Sequence, residues 1–219
     1  MKKKDHFIQF GEEAEGYPIP VLNEREIRAS AGILFIFMFM SLMLVLFNND
    51  FLMIKYVISI FLTDLLIRVF INPRFSPALI IGRLIVSNQA PEYVAAVQKK
   101  FAWKIGIVFS GVMFFFLVIL NAYSIITSVT CFICLAFLFF ESAFGICLGC
   151  LVYNWFYKTR PPYCAGEVCE PKAKQEIQKI SRSQILILFS LLLFLTLLLV
   201  FFNSFFNEKP QDLWSIFSA

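Results

Sequence analysis

Apolar positions in this chain fall in long runs, not in the alternating or one-sided patterns of a water-soluble fold. Ala31–Phe47 reads AGILFIFMFMSLMLVLF without a single charge. Further runs cover Phe51–Ile71, Ile105–Asn121, Tyr123–Leu151 and Ile185–Phe206, the first of them interrupted by Lys55, Asp64 and Arg68. A helix crosses a bilayer with roughly 17–25 mainly apolar residues, so each run predicts a transmembrane helix. The joints 48–50 (NND) and 121–124 (NAYS) are so short that they demand tight hairpins between antiparallel neighbours. The predicted fold is all-α: a polytopic membrane helical bundle of five transmembrane helices, a four-helix core plus one.

Composition sharpens this picture. Of 219 residues, 59% are hydrophobic and only 16% charged, against about a quarter charged in soluble domains. Disorder and a disulfide-stapled mini-protein are excluded. Basic residues sort by segment. Lys2, Lys3, Lys4, Arg25 and Arg28 precede the first run. Arg74, Arg83, Lys99, Lys100 and Lys104 lie between the second and third. Lys158, Arg160, Lys172, Lys174, Lys179 and Arg182 lie between the fourth and fifth. The hairpins hold none and the carboxyl tail only Lys209. The positive-inside rule then predicts a cytoplasmic amino terminus and an external carboxyl terminus. The net charge of +4 follows from this topology and calls for no nucleic-acid partner. MKKK does not open a cleavable signal, because Asp5, Glu12, Glu13 and Glu15 follow and no apolar run starts before residue 31. The map is a cytoplasmic segment 1–30, a four-helix membrane core 31–157, a cytoplasmic cysteine-bearing loop 158–184, a fifth helix 185–206 and an external tail 207–219.

Within the 72–104 loop, Asn72-Pro73 ends the second helix, and Ser76-Pro77 reads as a cap followed by proline at the first helical position. Ala78–Val86 then predicts a short helix lying in the membrane interface. Pro91 opens a further helix running into the third span, with Trp103 as an interfacial anchor. Residues 159–176, with three prolines and Gly166, read as loop.

Candidate chemistry rests on cysteines and on charges inside the spans. The six cysteines form three pairs: Cys131/Cys134 (CFIC), Cys147/Cys150 (CLGC) and Cys164/Cys169 (CAGEVC). The first two pairs fall on the fourth run, the first in its outer half and the second near its cytoplasmic end. A CxxC unit suits dithiol–disulfide exchange, since each thiol can resolve a mixed disulfide formed by the other. CFIC inside a Phe-rich run reads more readily as packing. Cys147, Cys150, Cys164 and Cys169 also offer a four-thiolate set for zinc or an iron–sulfur cluster, at a spacing that is permissive but not diagnostic. Asp64, Arg68 and Glu141 are expensive at membrane depth and must satisfy one another. Asp64 and Glu141 each lie nine residues inward from an apparent helix end, Pro73 and Cys150, about 13 Å deep. Lys55 lies near the outer end, where it can snorkel. A phosphate loop, HExxH and a nucleophile elbow are all missing from the sequence, and no cofactor is implied.

Several segments carry a resemblance. Asn23-Glu24-Arg25-Glu26-Ile27-Arg28, Asp64-Leu65-Leu66-Ile67-Arg68 running into Asn72-Pro73-Arg74-Phe75-Ser76-Pro77, Lys100-Phe101-Ala102 with Ile105-Gly106, and Glu141 leading to Phe144-Gly145-Ile146-Cys147-Leu148-Gly149-Cys150 resemble the bacterial integral-membrane family known as domain of unknown function 4395. The resemblance covers roughly residues 20–157. It implies a four-helix core in a bacterial inner membrane with a cytoplasmic CxxC, and no assigned activity. Together these readings predict thiol–disulfide exchange or sulfur relay at Cys147 and Cys150, with Cys164 and Cys169 as a second pair. Arg74, Lys158 or Arg160 would lower a thiol pKa. The partners, beyond the lipid bilayer, would be a thioredoxin-like or sulfurtransferase protein. A non-enzymatic subunit of a larger membrane complex and a small transporter using Asp64, Arg68 and Glu141 are the alternatives.

Overall fold

The computed structural model of the chain describes residues 10–12, 14, 16–157 and 180–212. In chain order its elements are β1 (Val21–Asn23), α1 (Glu24–Asn48), α2 (Leu52–Leu66), α3 (Pro77–Ile85), β2 (Tyr93–Ala95), α4 (Ala96–Phe114), β3 (Ala122–Tyr123), α5 (Ile125–Phe139), α6 (Leu148–Tyr157), α7 (Arg182–Asn207) and β4 (Gln211–Asp212). Helices α2, α4 and α5 each continue through a five-residue π-helical turn, Ile67–Ile71, Phe115–Ile119 and Phe140–Phe144. Among the described residues, four helices are long and apolar enough to cross a membrane: Glu24–Asn48, Ala96–Ile119, Ile125–Phe144 and Arg182–Asn207. The fold is an all-α membrane bundle. Helix α2 packs among these helices and carries Lys55, Asp64 and Arg68.

The core follows from spacing. Ile27, Ala31, Leu34, Met38 and Leu42 recur every three or four residues on α1 and are buried, as are Ile54, Ile58, Phe61 and Leu65 on α2. They pack with Trp103 and Met113 of α4, Leu117 of its π-helical turn, and Cys131, Cys134 and Leu138 of α5. Outward positions stay apolar too: Phe47, Ile125 and Val200 are 80%, 75% and 74% exposed, a surface suited to hydrocarbon and not to water. The two hairpins close as expected, each through an asparagine in the left-handed region, Asn49 at φ 52° and Asn121 at φ 49°, where a short polar side chain is tolerated.

Helix α7 is fastened at its two ends. Near its start, Gln184 Nε2 donates to the Arg74 carbonyl at 2.8 Å. At its finish, Lys55 Nζ donates to the Phe206 and Glu208 carbonyls at 3.2 and 2.6 Å, and to Asn121 Oδ1 at 2.7 Å. Lys55 therefore does not snorkel. It is buried, because the end of α7 folds over it and supplies carbonyl oxygens in place of water.

Helix α3 forms behind its Ser76 cap as read from sequence, the hydroxyl oxygen accepting from Leu79 N–H. It packs flush against α1, so closely that a Cβ on Gly82 would stand 2.5 Å from the Glu26 carbonyl. Pro91 does not open a helix: residues 93–95 pair as a strand first, and α4 begins at Ala96. Trp103 is buried and not an interfacial anchor, its ring 5.1 Å below the Arg68 guanidinium.

The expected Asp64–Arg68 pair is present, with a further duty. Arg68 donates to Asp64 Oδ2 through Nε at 2.7 Å and lies 2.6 Å from it through Nη2. The other oxygen, Oδ1, accepts from the Ser76 hydroxyl at 2.6 Å and from Ala78 N–H at 2.9 Å. Asp64 thus caps α3 from a neighbouring helix, and its ion pair welds α2, α3 and the Ser76 turn together. Removing one partner from such a buried pair costs about 3–5 kcal/mol, because the other is left charged and unmatched. Arg68→Ala is therefore expected to lower the unfolding free energy in detergent by about that much. A paired Asp64→Asn, Arg68→Met chain should regain part of the loss. An Arg68→Ala chain as stable as the parent would mean that the pair does not hold these elements.

Candidate functional site

Two short strands set the site. Val21, Leu22 and Asn23 pair antiparallel with Ala95, Val94 and Tyr93, and Glu24 N–H donates to the Glu92 carbonyl at 2.7 Å. Strand β1 runs straight into α1 and β2 straight into α4, so this clip sets the first turns of the two helices side by side. Asn23 caps α1, its Oδ1 accepting from Arg25 N–H and Glu92 N–H at 3.2 Å each.

The turn Glu24–Arg28 then sends its charges to different elements. Arg25 reaches Glu92 at 2.7 Å. Glu26 meets Arg83 of α3 at 3.0 Å, and Arg83 also meets Glu12 at 3.4 Å. Glu24 pairs with Lys99 of α4 at 2.8 Å. Lys99 Nζ also donates to Glu141 Oε1 at 2.8 Å, so one buried ammonium bridges two carboxylates from α1 and from the end of α5. Glu141 therefore answers to Lys99. Arg68 gives its donors to Asp64, Ser76 and Ser30. The three charges read as one cluster are divided between two, although Arg68 and Glu141 line one common cavity.

The fourth apolar run is not one helix. The π-helical turn Phe140–Phe144 ends at Gly145, whose φ of +66° lies in the left-handed region that favours glycine. Ile146 N–H returns to the Phe140 carbonyl at 3.0 Å, closing the terminus. The Arg28 guanidinium packs over this turn, 2.8 Å from where a Cβ of Gly145 would stand. A new helix, α6, starts at Leu148. Cys147 immediately precedes it and Cys150 is its third residue, so CLGC opens a helix where it was expected to close one. The reversal matters, since thiolates are favoured at helix N-termini. Gly149 lets α6 lie against α4, where a Cβ would come within 2.5 Å of Ala102 Cβ.

The two thiols are half-buried and hydrogen-bonded to one another. That bond first, and burial second, push the Cys147 thiol well above its ordinary pKa; the Lys99 ammonium opposes the rise and the Glu141 carboxylate adds to it. Arg74, expected to tune these thiols, is exposed and bonded through its carbonyl to α7. Lys158, Arg160, Cys164 and Cys169 lie outside the described residues. Cys131 and Cys134 are buried in the core at 2% and 3% exposure, as a packing role requires. Among the described residues no group of three or more His, Cys, Asp or Glu is placed to hold a metal ion. Beside Cys147 lies a cavity of about 50 Å³, room for a few waters.

Lys99 and Glu24 were missed as site residues, one read as part of a basic loop and the other as part of a charged prelude. Each lies in the first turn of an apolar helix, just after a three-residue segment that forms a strand. That placement was visible; the pairing of the two segments was not. If the Gly149 contact seats the thiols beside Lys99, Gly149→Ala should force α6 off α4 and expose the pair. Cys147 and Cys150 should then be alkylated several-fold faster, read by mass spectrometry. Unchanged rates would show that the contact does not position them.

No curated protein and no solved structure matches the chain. The family model described as Domain of unknown function (DUF4395) matches residues 22–158, which include the strand clip from Leu22 onward, both charge clusters and the CLGC turn, and the chain belongs to that family.

Proposed function

We propose that the chain is a bacterial inner-membrane thiol–disulfide exchange protein working through Cys147 and Cys150. The observation that carries this reading is the position of the dithiol: half-buried, hydrogen-bonded within itself, at the start of α6 and within the field of Lys99. In the exchange, the Cys147 thiolate attacks one sulfur of a partner disulfide and releases the other as thiolate. Cys150 then attacks Cys147 Sγ, forms the intramolecular disulfide and releases the second partner thiolate. Two electrons pass to the partner and two protons leave the pair. Lys99 stabilises the thiolate while it lasts, and Glu141, bonded to Lys99, limits that help at rest. A thioredoxin-like protein or a sulfurtransferase suits such a dithiol, and Cys164 and Cys169 are candidates to receive its electrons.

The same reading takes α2 as a fifth span, with the amino terminus, the Lys99 cluster and α6 on the cytoplasmic side. Glutathione and thioredoxin would keep the resting pair reduced there. A tag before Met1 should report the cytoplasm and a reporter after Ala219 the outside; both ends on one face would refute the count.

One observation favours a second reading, a non-enzymatic subunit with inert thiols: the hydrogen bond to Cys150 and burial both push the Cys147 thiol pKa up and disfavour its thiolate. Equilibration with glutathione buffers of increasing oxidation, followed by acid quench and alkylation, separates the two. Exchange predicts that Cys147 and Cys150 lose alkylation together, and that Cys150→Ser traps glutathione on Cys147. A pair that stays reduced in the folded protein at every buffer ratio would leave the subunit reading standing.

A further inference from the structure

The cavity beside Cys147 has a wall that solvent-filling alone does not require. It is lined by Arg68, Trp103, Cys134, Leu138, Glu141 and Cys147 among others. Trp103 is 4% exposed, yet its indole N–H meets no acceptor among the described residues. A buried donor left unmatched marks a place where an acceptor belongs. The Arg68 guanidinium, ion-paired with Asp64, stands over the same indole at 5.1 Å, and the Glu141 carboxylate of the same lining is ion-paired with Lys99. At about 50 Å³ the space takes only a few heavy atoms. A thiol and an unmatched N–H donor around so small a volume fit a compact, polarisable acceptor attached to the thiol itself.

We propose that this cavity is a persulfide pocket, in which Cys147 takes up one sulfane sulfur whose terminal atom accepts the Trp103 N–H. This deepens the exchange reading and rests on it, because Cys147 must be reactive. The donor is a low-molecular-weight or protein persulfide. The Cys147 thiolate attacks its outer sulfur, the donor S–S bond breaks, a Cys147 S–S bond forms and the donor leaves as thiolate; no electrons are gained or lost overall. The product is a reversible cap on the thiol, and its terminal sulfur is more acidic than the parent thiol, hence anionic at neutral pH. Cys150 discharges it by attacking Cys147 Sγ. Hydrosulfide leaves, and the Cys147–Cys150 disulfide that remains has supplied the two electrons.

The test uses the purified full-length chain in detergent, with sodium polysulfide as the sulfur source and alkylation followed by peptide mass spectrometry as readout. Cys150→Ser should accumulate a Cys147 peptide heavier by one sulfur atom, because the discharging thiol is gone. Trp103→Phe keeps an aromatic ring and removes the N–H. In the Cys150→Ser background it should shorten the persulfide lifetime by about tenfold, the scale of one hydrogen bond to a charged acceptor. If Cys147 exchanges with oxidised glutathione but gains no sulfur, or if its persulfide lives equally long once Trp103→Phe has removed the donor, the cavity holds water only and the proposal is overturned. If Cys147 reacts with neither reagent, the exchange reading falls with it.

Discussion

A charge buried among hydrocarbon must be matched by a polar partner, and at the polar end of this bundle that partner is an opposite charge. Glu24, Glu26, Arg68, Arg83 and Lys99 are each buried, and each is ion-paired with a residue of the described chain. All but the Asp64–Arg68 pair join different elements. The turn before α1 reaches α3 through Arg83, α4 through Lys99 and the segment ahead of β2 through Glu92. An apolar surface is equally content in many registers, whereas a buried ion pair is content in one. The cost of leaving any of these groups unmatched fixes how helices with featureless apolar faces meet.

That logic divides what could be read in advance from what could not. Apolar runs revealed the helices, since spans are written in local composition. The Asp64–Arg68 pair was legible because its members are four residues apart on one helix. Ser76-Pro77 announced α3 for the same local reason. Lys99 with Glu24 was not legible, because the partners are 75 residues apart and are brought together by a strand clip of three residues on each side. Tyr123–Leu151 was read as one helix; Gly145 ends it in a left-handed terminus, and a lone glycine in an apolar run does not disclose its φ. That misreading carried Glu141 and CLGC with it, placing on one long helix two features that belong to the end of one and the start of the next.

The thiol pair inherits its setting from this framework. Gly145 turns the chain, Arg28 packs over the turn, and Gly149 seats α6 on α4 beside Lys99. A dithiol on a flexible loop would titrate as cysteine does in water. This one is enclosed, hydrogen-bonded and placed between an ammonium that favours its thiolate and a carboxylate that disfavours it. The ion cluster that joins these elements thereby also acts on the Cys147 thiol, behind the Cys150 hydrogen bond and burial: Lys99 opposes the rise in its pKa and Glu141, which touches Lys99, adds to it.

The most direct measurement of that link is the pH dependence of Cys147 alkylation in the parent chain and in Glu141→Gln. In the variant Lys99 remains paired with Glu24, so the framework is kept. The parent midpoint should lie above the ordinary cysteine value of about 8.5, the direction in which the Cys150 hydrogen bond and burial push it. Glu141→Gln removes a charge that raises the thiol pKa and leaves Lys99 less neutralised, so its midpoint should fall below that of the parent. The same midpoint in both chains, with both folded, would contradict the claim that the ion cluster acts on the Cys147 thiol.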